Sequence, residues 1–456
     1  MKKLTIKSIA DVCDGKLLGI DEETQNPLID IEVSDIVTDN RKVTEKSVFV
    51  AIKGNRVDGH SFIEDAYVKG AIGVISEKDL DMERPYILVR DSLAAIKKIA
   101  KFYRENLDIK VVGVTGSVGK TSTKEIIHAV LSEKYNTLKT EGNFNNELGL
   151  PLTVFRLREE HEIAVLEMGI SNFGEMTRLS EIAKPDVAVI TNIGLCHLEN
   201  LGSRDGILKA KTEMFKNIKD DATIILNGDD DKLITINEYN GIKPVFYGMN
   251  NTGLSVFADN VAPKGIKGIA CDLHYGEDII SVMINIPGIH MVYNALAALC
   301  VGKSFGLSNE EIKRGIEKLK PVQGRNNIIE TEKYTVIDDC YNANPVSMKA
   351  SIDVLEFADT RKVAILGDMF ELGVNEEKLH QGIGQYLCDN NIDVIIFIGR
   401  LMKNAYDALD NSREKYYFEN IEDFIENKSG IINEKDTVLV KASHGMNFVK
   451  IIEALK

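Results

Sequence analysis

None of the six cysteines, Cys13, Cys196, Cys271, Cys300, Cys340 and Cys388, has a partner at C-x-x-C spacing. That pattern excludes a thioredoxin-type redox motif or a paired-cysteine zinc site, and reduced, intracellular thiols are the expectation. The opening stretch MKKLTIKSIADVCDG lacks the apolar core of a secretory leader. Nowhere does an apolar run approach the ~18 residues of a spanning helix, which predicts no stable membrane insertion and a cytoplasmic protein. Positive charge is in deficit: the formal net charge is −15, an average surface that repels a phosphate backbone and argues against a nucleic-acid partner. Low-complexity tracts and internal repeats are absent as well.

What is present is a chain of 456 residues with 44% hydrophobic content, more than one core usually supports and enough for two or three. Its focus is GVTGSVGKTS, residues 113–122. An apolar run over 109–114 predicts a buried strand, and from Lys120 onward Ile126, Ile127, Val130 and Leu131 fall on one helical face. A strand that turns through glycines into a helix start is a phosphate cradle. The glycines let backbone N–H groups approach an anion, the helix end adds a favourable dipole, and lysine adds a point charge. Thr115, Gly116, Ser117, Val118, Gly119, Lys120, Thr121 and Ser122 are therefore assigned to the phosphates of a bound ligand, with the Thr121 hydroxyl placed for Mg²⁺. The spacing departs from the strict P-loop: five residues, not four, separate Gly113 from Gly119, with Gly116 in the middle.

Along the chain the expected fold class is α/β in three domains. Residues 1–105 form a small α/β module, with a strand at 48–52, a Gly/Asp-rich loop through Gly59, a helix and a second strand at 72–75. Asp91 and Ser92 cap a helix in which Leu93, Ile96, Ile99, Ala100 and Tyr103 form a buried stripe. Residues 106–320 alternate strands and helices as a mainly parallel sheet, with an antiparallel excursion over 244–287 and a helix from His290 to Phe305 stopped by Gly306. Residues 321–456 repeat the alternation as a second doubly wound, Rossmann-like unit.

Polar loops after the strands carry the remaining candidates. Glu167, closing IAVLEMG, suits an acidic group that holds Mg²⁺ opposite Thr121, or is a solvated strand end. His197 in TNIGLCHLENLGS reads as a metal or phosphate contact, or as a satisfied loop histidine. Lys209 and Lys211 are a solvated helix face unless the site claims them. Asn143, Asn145 and Asn146 offer amides to an anionic substrate, or simply make a turn. Asp338 and Asp339, GDMFELG (367–373) and KASHGMN (441–447) follow strands of the last unit and suggest a binding face directed at another domain.

Together VTDNRKV, FVAIKG…DGHSF, GVTGSVGKTSTKE, GNFNNELGLPLT, LEMG, TNIGLCHLENLGS, AKTEMF, DDCYNANP, LGDMFELG and SHGMN resemble the Mur ligases of peptidoglycan synthesis over almost the whole chain. The resemblance implies an ATP-dependent amide ligase that works through an acyl phosphate, as a monomer. Its implied substrates are UDP-N-acetylmuramoyl-tripeptide and D-alanyl-D-alanine, and its implied cofactors are ATP and two Mg²⁺ ions. Residue by residue it implies Lys120 on the β- and γ-phosphates, Thr121 and Glu167 on one Mg²⁺, and His197 with a carbamylated Lys211 on the second. Asn294 would meet the adenine, and Arg325 and Asp339 the ribose and phosphate region. Thr38, Asp39, Asn40 and Arg41 would belong to a uridine pocket. Two positions depart from the pattern: Asn40 stands where Ser or Thr is usual, and His444 where an arginine precedes Gly-Met. Another amide ligase of the superfamily and a P-loop NTPase switch are the competing readings.

Overall fold

The computed structural model describes residues 1–20, 27–54, 57–251 and 253–456; Asn55 and Arg56 of the predicted Gly/Asp-rich loop lie outside the described residues. Among the described residues the strands form three sheets, one in each successive part of the chain. The first runs in the order Lys16–Leu18, Tyr86–Leu88, Gly73–Ser76, Val48–Val50, Ile36–Val37 and is parallel except at its first strand.

Helix Ser92–Glu105 joins this module to the next. Asp91 caps it by accepting from the Ala94 N–H at 2.9 Å. Ile96, Ile99, Ala100 and Tyr103 are fully buried, in one apolar cluster that runs from Leu4 in the first module to Leu166 in the central sheet. Tyr103 anchors the joint by donating to the Leu157 carbonyl at 2.6 Å. Leu93 departs from the predicted stripe: it is 41% exposed, because the helix's first turn overhangs a cavity that Leu93 helps to line.

In the central sheet the glycine-led strand Lys110–Thr115 lies between Val187–Ile190 and Ile163–Glu167, parallel to both. The chain first builds the Ile163–Glu167 side and then crosses to Val187–Ile190. Lys110–Thr115 is therefore the switch point, and its carboxyl end is where open α/β sheets bind ligands. The antiparallel excursion is shorter than the sequence suggested. Val245–Gly248 and the start of Val256–Pro263 still pair parallel, and only Val256–Pro263, Ile269–Tyr275 and Asp278–Ile284 form the antiparallel part.

On one face, helices Lys120–Leu131, His290–Ser304 and Asn309–Glu317 pack together. Gly315 lets two of them touch: a Cβ there would stand 2.4 Å from Val130 Cα. Gly315→Ala gains about 1 kcal/mol of helix propensity but forces backbones apart at roughly 3 kcal/mol. A net loss of about 2 kcal/mol is expected in chemical denaturation; unchanged stability would show that the helices separate freely.

The C-terminal sheet runs Asn327–Glu330, Thr335–Asp338, Thr437–Lys441, Lys362–Gly367, Val394–Ile398, Glu414–Phe418, with only its first pair antiparallel. The edge strands Asn327–Glu330 and Glu414–Phe418 carry half-exposed residues, which is why their hydrophobic signal was too weak to read. Among the described residues no helix is long and apolar enough to cross a membrane.

Candidate active site

The turn after Lys110–Thr115 explains the odd glycine spacing. Gly113 lies inside the strand, and the loop is made by Gly116 and Gly119. Gly119 has φ +82°, which L side chains rarely adopt, and a Cβ at Gly116 would come 1.9 Å from Thr191 Oγ1. The segment after the neighbouring strand holds this loop. Asn192 accepts from the Val118 N–H at 2.9 Å and donates to the Val118 carbonyl at 2.9 Å, while Thr191 donates to the same carbonyl at 2.7 Å. Ser117 through Ser122 line the cavity, and Lys120 Nζ donates to the Gly116 carbonyl at 2.9 Å. Thr115 is turned away, its hydroxyl donating to the Met168 carbonyl at 2.8 Å.

Glu167 is not a solvated strand end. It is 2% exposed, and its Oε1 accepts from Asn145 Nδ2 at 2.8 Å and from Thr121 Oγ1 at 3.2 Å. Its Oε2 is buried with no hydrogen-bond partner. An orphaned buried carboxylate oxygen costs about 1–3 kcal/mol, and beside a threonine hydroxyl and a phosphate cradle it fits a divalent cation. The three asparagines divide their work. Asn145 holds Glu167, Asn146 accepts from the Gly149 N–H at 2.8 Å as an ordinary turn cap, and Asn143 lines the cavity.

The cavity itself measures about 1150 Å³ and has walls from both the central and the C-terminal domain. Asn294 is buried behind Gly119, its Oδ1 accepting from Thr123 Oγ1 at 2.9 Å. Arg325 stacks on the Tyr341 ring at 4.3 Å, and Asp339 is clamped by Lys441 at 2.5 Å and by the Ser351 hydroxyl. His444 also approaches Tyr341, tilted, with ring centroids 5.6 Å apart. His197 Nδ1 meets Glu371 of GDMFELG at 2.9 Å, a contact between the two domains. Burial lowers the His197 pKa, against the opposing pull of Glu371.

Lys211 overturns the solvated-face reading. It is 1% exposed, and burial brings its pKa down to about 8, with the Lys120 charge adding to the effect and Cys196 opposing it. Its neighbour Lys209 is exposed, over the Phe173 ring at 5.9 Å. Among the described residues no three His, Cys, Asp or Glu side chains gather as a metal cluster. Thr38, Asp39, Asn40 and Arg41 lie in the first module and do not line the cavity. Arg41 forks onto Asp39, with N–O distances of 2.8–3.2 Å, and holds its carboxyl at about 2; Asn40 donates to Asp65 at 2.7 Å. Lys42 approaches the Phe144 ring at 5.8 Å, which links that segment to the asparagine loop.

Sequence reasoning missed several lining groups. Tyr341, Glu371 and Lys441 stood inside motifs already singled out, so a closer reading of those loops could have found them. His290, half-buried and 3.3 Å from Asn326 Nδ2, had no signal beyond its place near Asn294, and Asp229, which accepts from Tyr293 at 2.9 Å, had none.

Comparison with known proteins matches residues 32–114 to the Mur ligase family catalytic domain, 114–302 to the Mur ligase middle domain, and 324–444 to the Mur ligase glutamate ligase domain. UDP-N-acetylmuramoyl-tripeptide–D-alanyl-D-alanine ligase of Bacillus subtilis (strain 168) is 37% identical over 100% of this chain and 99% of its own. The Escherichia coli (strain K12) protein of the same name is 32% identical at the same coverage. A crystal structure of MurF from Acinetobacter baumannii superposes with a TM-score of 0.90 at 31% identity, covering 99% of this chain and 98% of that one. MurF ligase from Thermotoga maritima in complex with ADP gives 0.81 at 31% identity, over 92% of this chain and 96% of that one. Phosphate cradle, orphaned carboxylate, two-domain cavity and end-to-end likeness agree: the chain belongs to the Mur ligase family.

Proposed function

We propose that the chain is an ATP-dependent amide ligase that joins D-alanyl-D-alanine to UDP-N-acetylmuramoyl-tripeptide, giving the UDP-muramyl pentapeptide, ADP and phosphate. The observation that carries this reading is one cavity into which Lys120 and Glu167 open from the central domain and Arg325, Asp339 and Glu371 from the C-terminal domain. Relatives that bear this activity in their names match along the entire chain.

A carboxylate is a poor electrophile with a poor leaving group, so an amide cannot form from it directly in water. Attack by the terminal carboxylate of the tripeptide on the γ-phosphorus of ATP releases ADP and leaves an acyl phosphate. The dipeptide amine then adds to the acyl carbon, and the tetrahedral adduct collapses with loss of phosphate and a proton. The first step brings two anions together. Lys120, fixed at the start of its helix, offsets that charge without reorganising. The Thr121 hydroxyl and Glu167 would hold Mg²⁺, which when bound neutralises phosphate charge. Asn145 keeps Glu167 oriented, and Arg325, Asn294 and Asp339 serve the nucleoside end of ATP. A second ion would be held by His197 and a carbamylated Lys211.

Acyl phosphates hydrolyse, so water must be kept out until the amine arrives. Domains of 1–105, 106–320 and 321–456, with a hinge near residue 320, would let the C-terminal unit close over the cavity, and the His197–Glu371 contact lies where such closure brings the domains together. A cytoplasmic location accords with the supply of ATP and a UDP-linked precursor.

Phosphate release from ATP, with each acceptor alone and then together, tests the reading. Near silence until UDP-muramyl tripeptide and D-alanyl-D-alanine are both present is the expected result. Steady hydrolysis without them would favour the NTPase switch.

A further inference from the structure

Lys124 lies one helical turn beyond Lys120 and is 1% exposed. A buried ammonium is costly unless hydrogen-bonded and paired. Here Nζ donates to the Thr140 carbonyl at 2.7 Å and meets Glu125 Oε1 at 2.9 Å. The other oxygen of Glu125 takes Lys139, a half-buried residue. On its inner side Lys124 Nζ stands 3.9 Å from Glu167 Oε2, the carboxylate oxygen that has no hydrogen-bond donor. That gap is too long for a hydrogen bond and short for Coulomb attraction. Four side chains, Lys139, Glu125, Lys124 and Glu167, thus alternate in sign from the surface to the cavity wall.

We infer that Lys124 is a positioning residue, the internal counter-ion of Glu167, and that it makes divalent-cation binding at Glu167 depend on the nucleotide's phosphates. The inference rests on the nucleotide reading proposed above. With Lys124 opposite Glu167, and Lys120 at the start of the same helix, the cradle sets two ammonium groups against the one carboxylate of Glu167 before ATP arrives. Glu167 so countered holds a free divalent cation weakly, while the ammonium groups attract a triphosphate. Once the phosphates lie in the cradle the balance reverses, and Glu167 Oε2 gains a cation on the side away from Lys124. The cation then enters and leaves with the nucleotide.

Mn²⁺ titration followed by electron paramagnetic resonance tests this on the full chain, with and without a non-hydrolysable ATP analogue. Wild type should bind weakly alone and tightly with the analogue. Lys124→Met should tighten nucleotide-free Mn²⁺ binding by roughly tenfold. Lys139→Met draws Lys124 towards Glu125 and should shift binding the same way by less; its partly exposed site keeps the test available if Lys124→Met does not fold. Glu125→Gln frees Lys124 to face Glu167 and should weaken binding. Simple loss of structure would move every variant in one direction. Unchanged nucleotide-free affinity, or weakening throughout, would overturn the inference while leaving the ligase reading intact. No Mn²⁺ binding by wild type even with the analogue would overturn the nucleotide reading, and this inference with it.

Discussion

Lys120→Ala should reduce phosphate release and pentapeptide formation by about a thousandfold or more. Removing a single fixed donor from a developing anion costs roughly 10²–10³ in rate, and Lys120 adds a full charge where a carboxylate meets a triphosphate. The loop around it does not depend on its side chain. Asn192 and Thr191 hold the Val118 peptide, and Gly116 and Gly119 set the turn. The variant should therefore fold with unaltered thermal stability, and the loss should appear in kcat as well as in nucleotide affinity. Near-normal product formation by Lys120→Ala would refute the phosphate assignment.

Lys211→Ala should lower activity by at least about a hundredfold, with partial recovery on adding a short-chain carboxylate such as acetate or propionate. Only the neutral amine reacts with carbon dioxide, and burial brings the Lys211 pKa from 10.5 down to about 8. The neutral form is therefore the minor one below that pH and the major one above it. A carbamate signal from ¹³C-labelled carbon dioxide should grow as pH rises through about 8 and be missing from Lys211→Ala. The sign for stability follows from the same shift. Between about 8 and 10.5 the unfolded chain holds a proton at this lysine that the folded chain has released, so this group's contribution to stability rises with pH there and is flat below. Full activity of Lys211→Ala without added carboxylate would reject carbamylation.

The strands and helices that carry the site were legible because their signals are local. The apolar run before Gly116, the stripe after Lys120, the Asp91 cap and the Gly306 stop each lie within a few residues of the structure they specify. The cradle needs only backbone geometry and one adjacent lysine, so its sequence and its chemistry coincide. Candidates on strand-end loops could be named but not resolved, since a carboxylate, an imidazole or an amide looks the same in sequence whether it faces solvent or a cavity. The three asparagines make the point: equal in sequence, they became a Glu167 partner, a cavity wall and the closure of a turn.

By itself the amino-acid sequence determined the α/β alternation, the glycine-led turn into Lys120 and the family. It did so because residue periodicity, glycine conformation and motif order act over short stretches of chain. Only the tertiary structure decided that Lys211 is buried while Lys209 is not, that Glu167 keeps one oxygen unpartnered, and that Glu371 reaches His197 from 174 residues away in sequence. Burial and pairing depend on which distant elements pack against a side chain. The parallel sheets bring together the ends of strands that the sequence keeps far apart.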